Sequence, residues 1–340
     1  MNSPDSRKRL GLQLAAVLGG LCLLGFLVWN VGVGEVIHYL RQIGWLAPFV
    51  LVPYLAIAVC DAKGWAYALP SVEHIEKVPL WRLTLARLAG ESVNNLTPSA
   101  NIGGEPIKIY FLRTHGFSAD AGLASVVVAK TALTISQIVF ILLGVPFFLY
   151  RLGWIRQSWW VLGLLFILTY GFVALLIRWQ RRGLIGGVVR ILRHLFPRWH
   201  RLEQWEERAR QTDAHLLGFY NGNTRRFLAS TIYHFLGWLL GAVEALLFFR
   251  LMGVSVTLVD ALIIETMVQP LGAAGLLIPG ALGVQEAGGV FLCRLIGLDE
   301  GAGLALMALK RVREAVYNLI GLAVLVRVSG MLFPQKVHSL

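Results

Sequence analysis

The sequence predicts an all-α polytopic membrane protein with six full spans and two re-entrant helical hairpins arranged as an inverted repeat. Three observations lead there. Of its 340 residues, 56% are hydrophobic and only 15% are charged, with a mean hydropathy of +0.66. A water-soluble domain cannot cover that much apolar surface. The apolar residues also gather into runs near the ~20 residues that a helix needs to cross ~30 Å of hydrocarbon. Finally, two separated stretches repeat one residue pattern at a fixed offset, 286 − 105 = 181.

Taken in order, the first run (10–28) holds no charge and follows Arg7, Lys8 and Arg9. It resembles a signal n-region with no small-residue cleavage site behind it, and reads as a retained first helix. Spans are expected near 10–29, 45–69, 119–149, 159–178, 227–250 and 302–327. Two further apolar stretches, 81–112 and 256–297, are each interrupted by proline and glycine. In the first, residues 81–96 lead into Thr97-Pro98-Ser99-Ala100-Asn101-Ile102-Gly103-Gly104, then a short helical run from Glu105 to Leu112. In the second, an apolar run ending near Ile278 meets Pro279-Gly280-Ala281-Leu282-Gly283, then a short arm over 284–296. No arm comfortably spans the hydrocarbon, so each stretch reads as a re-entrant hairpin. Irregular backbone at that depth is tolerated only against protein or a wet cavity, so the breaks should face an interior site.

The repeat pairs Glu105 with Glu286, Arg113 with Arg294, Pro98 with Pro279, Gly116 with Gly297, and Lys130 with Arg311. It also pairs Ala121-Gly122-Leu123-Ala124 with Ala302-Gly303-Leu304-Ala305. Apolar matches are cheap in such a chain, so the weight rests on the proline, glycine and charged pairs. One integral membrane domain, 1–340, is expected, with repeat A about 81–149 and repeat B about 256–327. Between Lys130 and Arg311 the chain crosses twice and each hairpin adds an even number of passes, so the repeats are antiparallel. Glu105 then approaches from the cytoplasm and Glu286 from outside, to meet near the midplane.

The net charge of +12 suggests nucleic acid until the charges are placed. The loop 178–226 carries Arg178, Arg181, Arg182, Arg190, Arg193, Arg198, Arg201, Arg208, Arg210, Arg225 and Arg226, whereas the other side receives Arg41, Arg151, Arg156, Arg250 and Arg294. That asymmetry puts both termini and the loop on the cytoplasmic side of the membrane. Within the loop, Leu184, Ile185, Val188, Val189, Leu192, Leu195 and Phe196 share one helical face with arginines elsewhere, and Pro197 ends the run. This is a basic amphipathic helix suited to the inner leaflet, and 199–220 reads as a second surface helix. Anionic lipid, not nucleic acid, is the expected partner.

Ionisable residues at bilayer depth point to a site, because each unpaired charge at a helix centre costs about 2.5–3.5 kcal/mol. In the last span Lys310, Arg311, Arg313 and Glu314 stand together, with Lys310 and Glu314 at i,i+4 and Arg311 and Glu314 at i,i+3. One carboxylate cannot neutralise three cations, so this helix carries surplus positive charge unless Glu286 or Glu265 reaches it. The first repeat offers Lys130 and Lys108, with Glu91 and Glu105 as partners and Asn94, Asn95, Ser99 and Asn101 as neutral donors. Two readings stay open. Glu105 with Lys130 and Glu286 with Arg311 are ion pairs that lock hairpins against spans, or they line a polar pathway whose cations suit a phosphate-bearing headgroup.

Other signals are weaker. His234 shares a span with Glu244, and a lone histidine there more often bonds a neighbour than relays protons. Asp61 and Lys63 either pair or snorkel. Cys22, Cys60 and Cys293 read as small buried hydrophobes, and Asn95-Leu96-Thr97 is a sequon only in letters, preceding Pro98 in a hairpin. No zinc motif, nucleophile elbow, Walker loop or dinucleotide fingerprint is present, so no cofactor and no enzymatic activity are expected.

The run Glu91-Ser92-Val93-Asn94-Asn95-Leu96-Thr97-Pro98, followed by Gly103-Gly104-Glu105-Pro106 and Arg113, resembles the signature of the lysylphosphatidylglycerol synthase transmembrane, or flippase-like, family of bacteria and archaea. Pro279-Gly280-Ala281-Leu282-Gly283-Val284-Gln285-Glu286 resembles its second signature, and the first is also similar to the hopanoid-associated branch. The resemblance covers about residues 10–330. It implies a bacterial inner-membrane protein that moves a lipid or lipid-linked headgroup between leaflets. In full-length relatives a soluble aminoacyl transferase domain follows, whereas this sequence stops at Leu340, so translocation rather than synthesis carries over. Gln285 stands where such relatives often have a basic residue, which bears on headgroup preference. The alternative is a non-transporting membrane partner that anchors a lipid-modifying or glycan-assembling enzyme through the basic loop.

Overall fold

The structure, a computed structural model, describes residues 33–70, 78–97, 101–154, 157–195, 201–275, 278 and 281–332. The expected first span (10–29), the breaker residues Pro98 and Ser99, and Pro279 with Gly280 lie outside the described residues. Among the described residues there is helix and turn and no strand. In chain order the helices are α1 (Val33–Ile43), a 3-10 segment (Gly44–Leu51), α2 (Val52–Ala68), α3 (Leu80–Leu96), α4 (Glu105–Thr114), α5 (Ala119–Arg151) and α6 (Trp159–Arg181). They continue with α7 (Leu184–Leu195), α8 (Arg201–Gly222), α9 (Thr224–Leu251), α10 (Leu258–Ala274), α11 (Val284–Leu295) and α12 (Glu300–Leu332).

Among the described residues, Ile37–Ala68, Ala119–Arg151, Trp159–Gln180 and Thr224–Leu251 are long and apolar enough to cross a membrane. They coincide with the expected spans near 45–69, 119–149, 159–178 and 227–250. The first begins earlier than expected because the 3-10 segment, with Pro48 inside it, carries the helical path of α1 into α2. Helix α12 covers the expected 302–327 and has 33 residues, but its charged residues 310–314 break the apolar run. Both interrupted stretches form a longer and a shorter helix: α3 has 17 residues and α4 has 10, α10 has 17 and α11 has 12.

The offset of 181 recurs in the helix ends. Helices α4 and α11 stop at Thr114 and Leu295, α5 and α12 start at Ala119 and Glu300, and they stop at Arg151 and Leu332. The turns between them match bond for bond. Phe117 N donates to Leu112 O and Leu298 N to Cys293 O, across Gly116 (φ 90°) and Gly297 (φ 79°). These are glycine-terminated helix ends, where the left-handed residue favours glycine. Ser118 then accepts from Ala121 N at 3.2 Å, and Asp299 from Ala302 N at 2.7 Å, as N-caps.

The chain separates into two compact units, one from the described parts of 1–56, 84–107 and 240–340, the other from those of 57–83 and 108–239. In the first, α12 packs on α11 and α1, and α11 on α10. Ile263, Ile264, Leu304 and Leu306 are buried there. The α11–α12 contact is close because Gly303 lacks a side chain: a Cβ there would stand 2.9 Å from Cys293 Sγ. In the second unit α8 packs on α5, α6 and α7. Helix α8 buries Ala209, Leu216 and Phe219, while Trp205 stays exposed. The polar residue Asp213 explains the docking, accepting from Ile185 N at 3.0 Å and Gly186 N at 2.8 Å to cap α7. Helix α7 keeps its expected character, with Val188, Ile191, Arg190 and Arg193 exposed.

Candidate functional site

Within the first unit, one turn of α12 gathers charges from three other helices. Arg311 Nε donates to Glu286 Oε1 of α11 at 2.5 Å, and its Nη1 to Glu314 Oε2 at 2.8 Å. Lys310 Nζ donates to Glu265 of α10, and Arg313 Nη1 to Glu244 of α9. The Arg313 guanidinium also lies 4.4 Å from the ring centre of Tyr54, a cation–π contact. Next along α12, Tyr317 Oη donates to Leu51 O at 2.8 Å.

This geometry meets the condition under which α12 carries no surplus of positive charge. Glu265 and Glu286 both reach α12, Glu244 joins them, and Lys310 bonds Glu265 rather than Glu314. Lys310, Arg311 and Arg313 thus face four carboxylates, those of Glu244, Glu265, Glu286 and Glu314. Burial grades the cluster: side-chain exposure is 1% for Glu244 and 2% for Glu286, but 23% for both Arg311 and Glu314. The Arg311–Glu314 contact is its accessible end. Deeper in, Glu244 Oε1, Glu286 Oε2, Arg311 Nη2 and Arg313 Nε are buried without a hydrogen-bond partner. Buried charges are tolerated when paired, and an unmade bond among them carries a desolvation cost of about 1–3 kcal/mol or more. Donors and acceptors of both signs therefore stand ready in one place.

The hairpin residues of this unit shape the backbone around it. Asn94 Oδ1 accepts from Gly104 N at 2.7 Å, and Asn95 Nδ2 donates to Asn318 Oδ1 of α12 at 3.1 Å. A Cβ on Gly104 would fall 1.8 Å from Gly90 O, and one on Gly321 2.1 Å from Ser92 Oγ. Helix α3 thus meets the start of α4 and the flank of α12 backbone to backbone. Glu105 opens α4 and is buried, while Glu91 on α3 is half-buried. Lys108 and Lys130, both half-buried, belong to the second unit. Of the expected residues, the structure brings Glu286, Arg311, Arg313 and Glu314 into one cluster, and ties Asn94 and Asn95 to its supporting backbone.

Sequence reasoning gave Glu244 no place in the site and missed Tyr54 and Asn318. A glutamate inside an otherwise apolar span was the available signal for Glu244, since such a charge must find a partner. Nothing in spacing pointed to Tyr54 or Asn318. In the second unit, polar groups are mostly neutral: Tyr220 donates to Gln180, whose Nε2 donates to Thr131 Oγ1 at 2.6 Å. Trp65 bonds Ser125 at 3.4 Å, and Trp238 bonds Ser136 at 3.2 Å. Asp61 pairs with His234 rather than with Lys63, whose ammonium lies 5.7 Å from the ring centre of Tyr67. Among the described residues no group of three His, Cys, Asp or Glu side chains is placed to hold a metal.

Apolar helices of membrane-crossing length and charges sequestered among four helices define a helical, polytopic membrane protein with a buried ion-pair cluster. The family model described as the lysylphosphatidylglycerol synthase TM region matches residues 12–321, and the chain belongs to that family. It is similar to a UPF0104 membrane protein of Methanothermobacter thermautotrophicus, 22% identical over 312 residues, which cover 86% of this chain and 88% of the relative. Neither description names a hopanoid-associated branch. No solved structure matches.

Proposed function

We propose that the protein is an integral inner-membrane lipid translocator that passes a phospholipid or lipid-linked headgroup between leaflets by way of the Glu286–Arg311–Glu314 cluster. The observation that carries this reading is the graded burial of that cluster, with Arg311 reachable at one side and unsatisfied donors and acceptors behind it. When the site is empty the carboxylates hold the cations. A phosphate entering from the accessible side displaces Glu314 from Arg311, an exchange of one charge-assisted bond for another that leaves no cation bare. Because cations and carboxylates are nearly balanced, the headgroup is held loosely enough to leave again. A surplus of cations would trap it.

The rest of the proposal follows the sequence pattern. The two halves related by 181 residues are inverted repeats with re-entrant arms, 81–149 and 256–327, both termini are cytoplasmic, and Glu105 and Lys130 hold the repeat positions of Glu286 and Arg311. The protein acts without chemistry of its own on the lipid. The test is scrambling of a fluorescent phospholipid in reconstituted vesicles, read by quenching from outside. Wild type is expected to expose inner-leaflet probe, and Arg311→Ala to lose at least about tenfold in rate, one charge-assisted contact being worth about 1.5–3 kcal/mol. Equal rates in the two proteins would overturn the assignment.

A further inference from the structure

The second unit contains a buried acid–imidazole pair that the headgroup cluster does not use. Asp61 stands on α2 and His234 on α9, with side chains 8% and 5% exposed and His234 Nδ1 2.8 Å from Asp61 Oδ1. An ionised carboxylate only accepts, so Nδ1 carries the hydrogen and Nε2 of the neutral ring is left as a bare acceptor. Nε2 is buried and bonded to nothing in the protein, and so is the hydroxyl of Ser230, one helical turn away on α9.

Two glycines make room for the pair. A Cβ on Gly64 of α2 would stand 2.7 Å from His234 Nε2, and one on Gly237 of α9 would stand 3.1 Å from Asp61 Oδ1. A contact built for packing alone fills such space with carbon, or bonds both ring nitrogens. This one bonds a single nitrogen and turns the other toward the bare backbone of Gly64.

We propose that Asp61 and His234 form an intramembrane proton-binding site, with His234 Nε2 as the atom that takes up the proton and Ser230 as the hydroxyl on its approach. A water or hydronium O–H bond breaks as the N–H bond forms. The pair passes from a net charge of −1 to neutrality, and the imidazolium stays held to Asp61 through its Nδ1 hydrogen. The other ionisable groups on these two helices within the unit are Cys60, Lys63 and Tyr67 on α2 and Arg225, Arg226 and Tyr233 on α9. Lys63 lies against the Tyr67 ring, Tyr67 stacks on Tyr233 at 5.5 Å, and Arg226 donates to Leu69 O. Use of the proton to drive movement rests on the translocation reading, but the site itself does not.

The experiment is nitrogen NMR of the full chain, labelled at histidine and reconstituted in lipid vesicles, with the His234 signal assigned by its loss in His234→Gln. The expected result is an Nδ1–H neutral ring that becomes imidazolium within about pH 5–8. A ring that stays neutral across that interval, or is protonated at Nε2 when neutral, overturns the site. Asp61→Ala is expected to lose the single tautomer, and its retention overturns the role of Asp61. Under an imposed pH gradient, net lipid movement is expected to follow the gradient in wild type and to lose that dependence in His234→Gln. Movement indifferent to the gradient, with His234 titrating, overturns the coupling alone. Absence of movement in wild type overturns the translocation reading and leaves the proton site standing.

Discussion

The two units hold their polar groups in opposite ways. The first sequesters charge, with Glu244, Glu265, Glu286 and Glu314 set against Lys310, Arg311 and Arg313. The second relies mainly on neutral hydrogen bonds, such as Tyr220 to Gln180 to Thr131, and its buried Asp61–His234 pair carries a fixed charge only on the acid unless the ring is protonated. Neutral bonds join helices at little desolvation cost, each worth about 0.5–1.5 kcal/mol net. Buried ion pairs are a poor way to gain stability, because hydrophobic replacements of the same shape often do as well. The first unit bears that cost in three interhelical pairs, and the proposed site uses one of them, Glu286 with Arg311.

Breaking one charge in the first unit should have the largest effect. Arg313→Leu leaves Glu244 buried and unpaired and should cost about 3–5 kcal/mol, measured by denaturant unfolding in detergent micelles. Adding Glu244→Leu should recover most of that loss. In the second unit Gln180→Ala removes the bonds to the Tyr220 and Thr131 hydroxyls, while Thr131 keeps its bond to Val127 O, and should cost about 1–3 kcal/mol by the same measurement, with little dependence on salt. Smaller still, Arg193→Ala removes a pair with Glu206 whose side chains are 53% and 44% exposed. Its cost should be at most about 1 kcal/mol and should vanish in high salt.

The smallest effect is on acidification of α8. Hydrogen bonds from Arg210, then Gln211, hold the Glu207 carboxyl below the usual carboxylate range. A depressed carboxyl stabilises the fold at pH above its unfolded value and loses that contribution as pH falls through the folded one. Glu207 is fully exposed, so Glu207→Gln should leave the acid-unfolding curve of the whole protein nearly unchanged.

Much of the fold was legible because its signals are local. The amphipathic run 184–196 became α7, and the breaks at 97–104 and 279–283 separate helices α3 from α4 and α10 from α11. The pairing of Glu286 with Arg311 was legible from the repeat, and that of Arg311 with Glu314 from i,i+3 spacing. Glu286 and Glu265 were legible as the carboxylates that could relieve the surplus on α12, whereas Glu244, which lies 69 residues from Arg313, was not. Spacing along one helix carries no information about a carboxylate delivered by another. The apolar positions Ala209, Leu216 and Phe219 of α8 mark the face that packs on α5, α6 and α7, but spacing does not say which helices cover it.

The central claim separates a pair that acts from a pair that only holds. Two double variants test it most directly, Glu286→Leu/Arg311→Leu and Glu244→Leu/Arg313→Leu, each removing a whole buried pair and leaving, in the first, only the partly exposed Glu314 without its arginine. Phospholipid scrambling by the two folded proteins in vesicles should be lost in the first and retained in the second. Wild-type scrambling by the Glu286→Leu/Arg311→Leu protein would contradict the account.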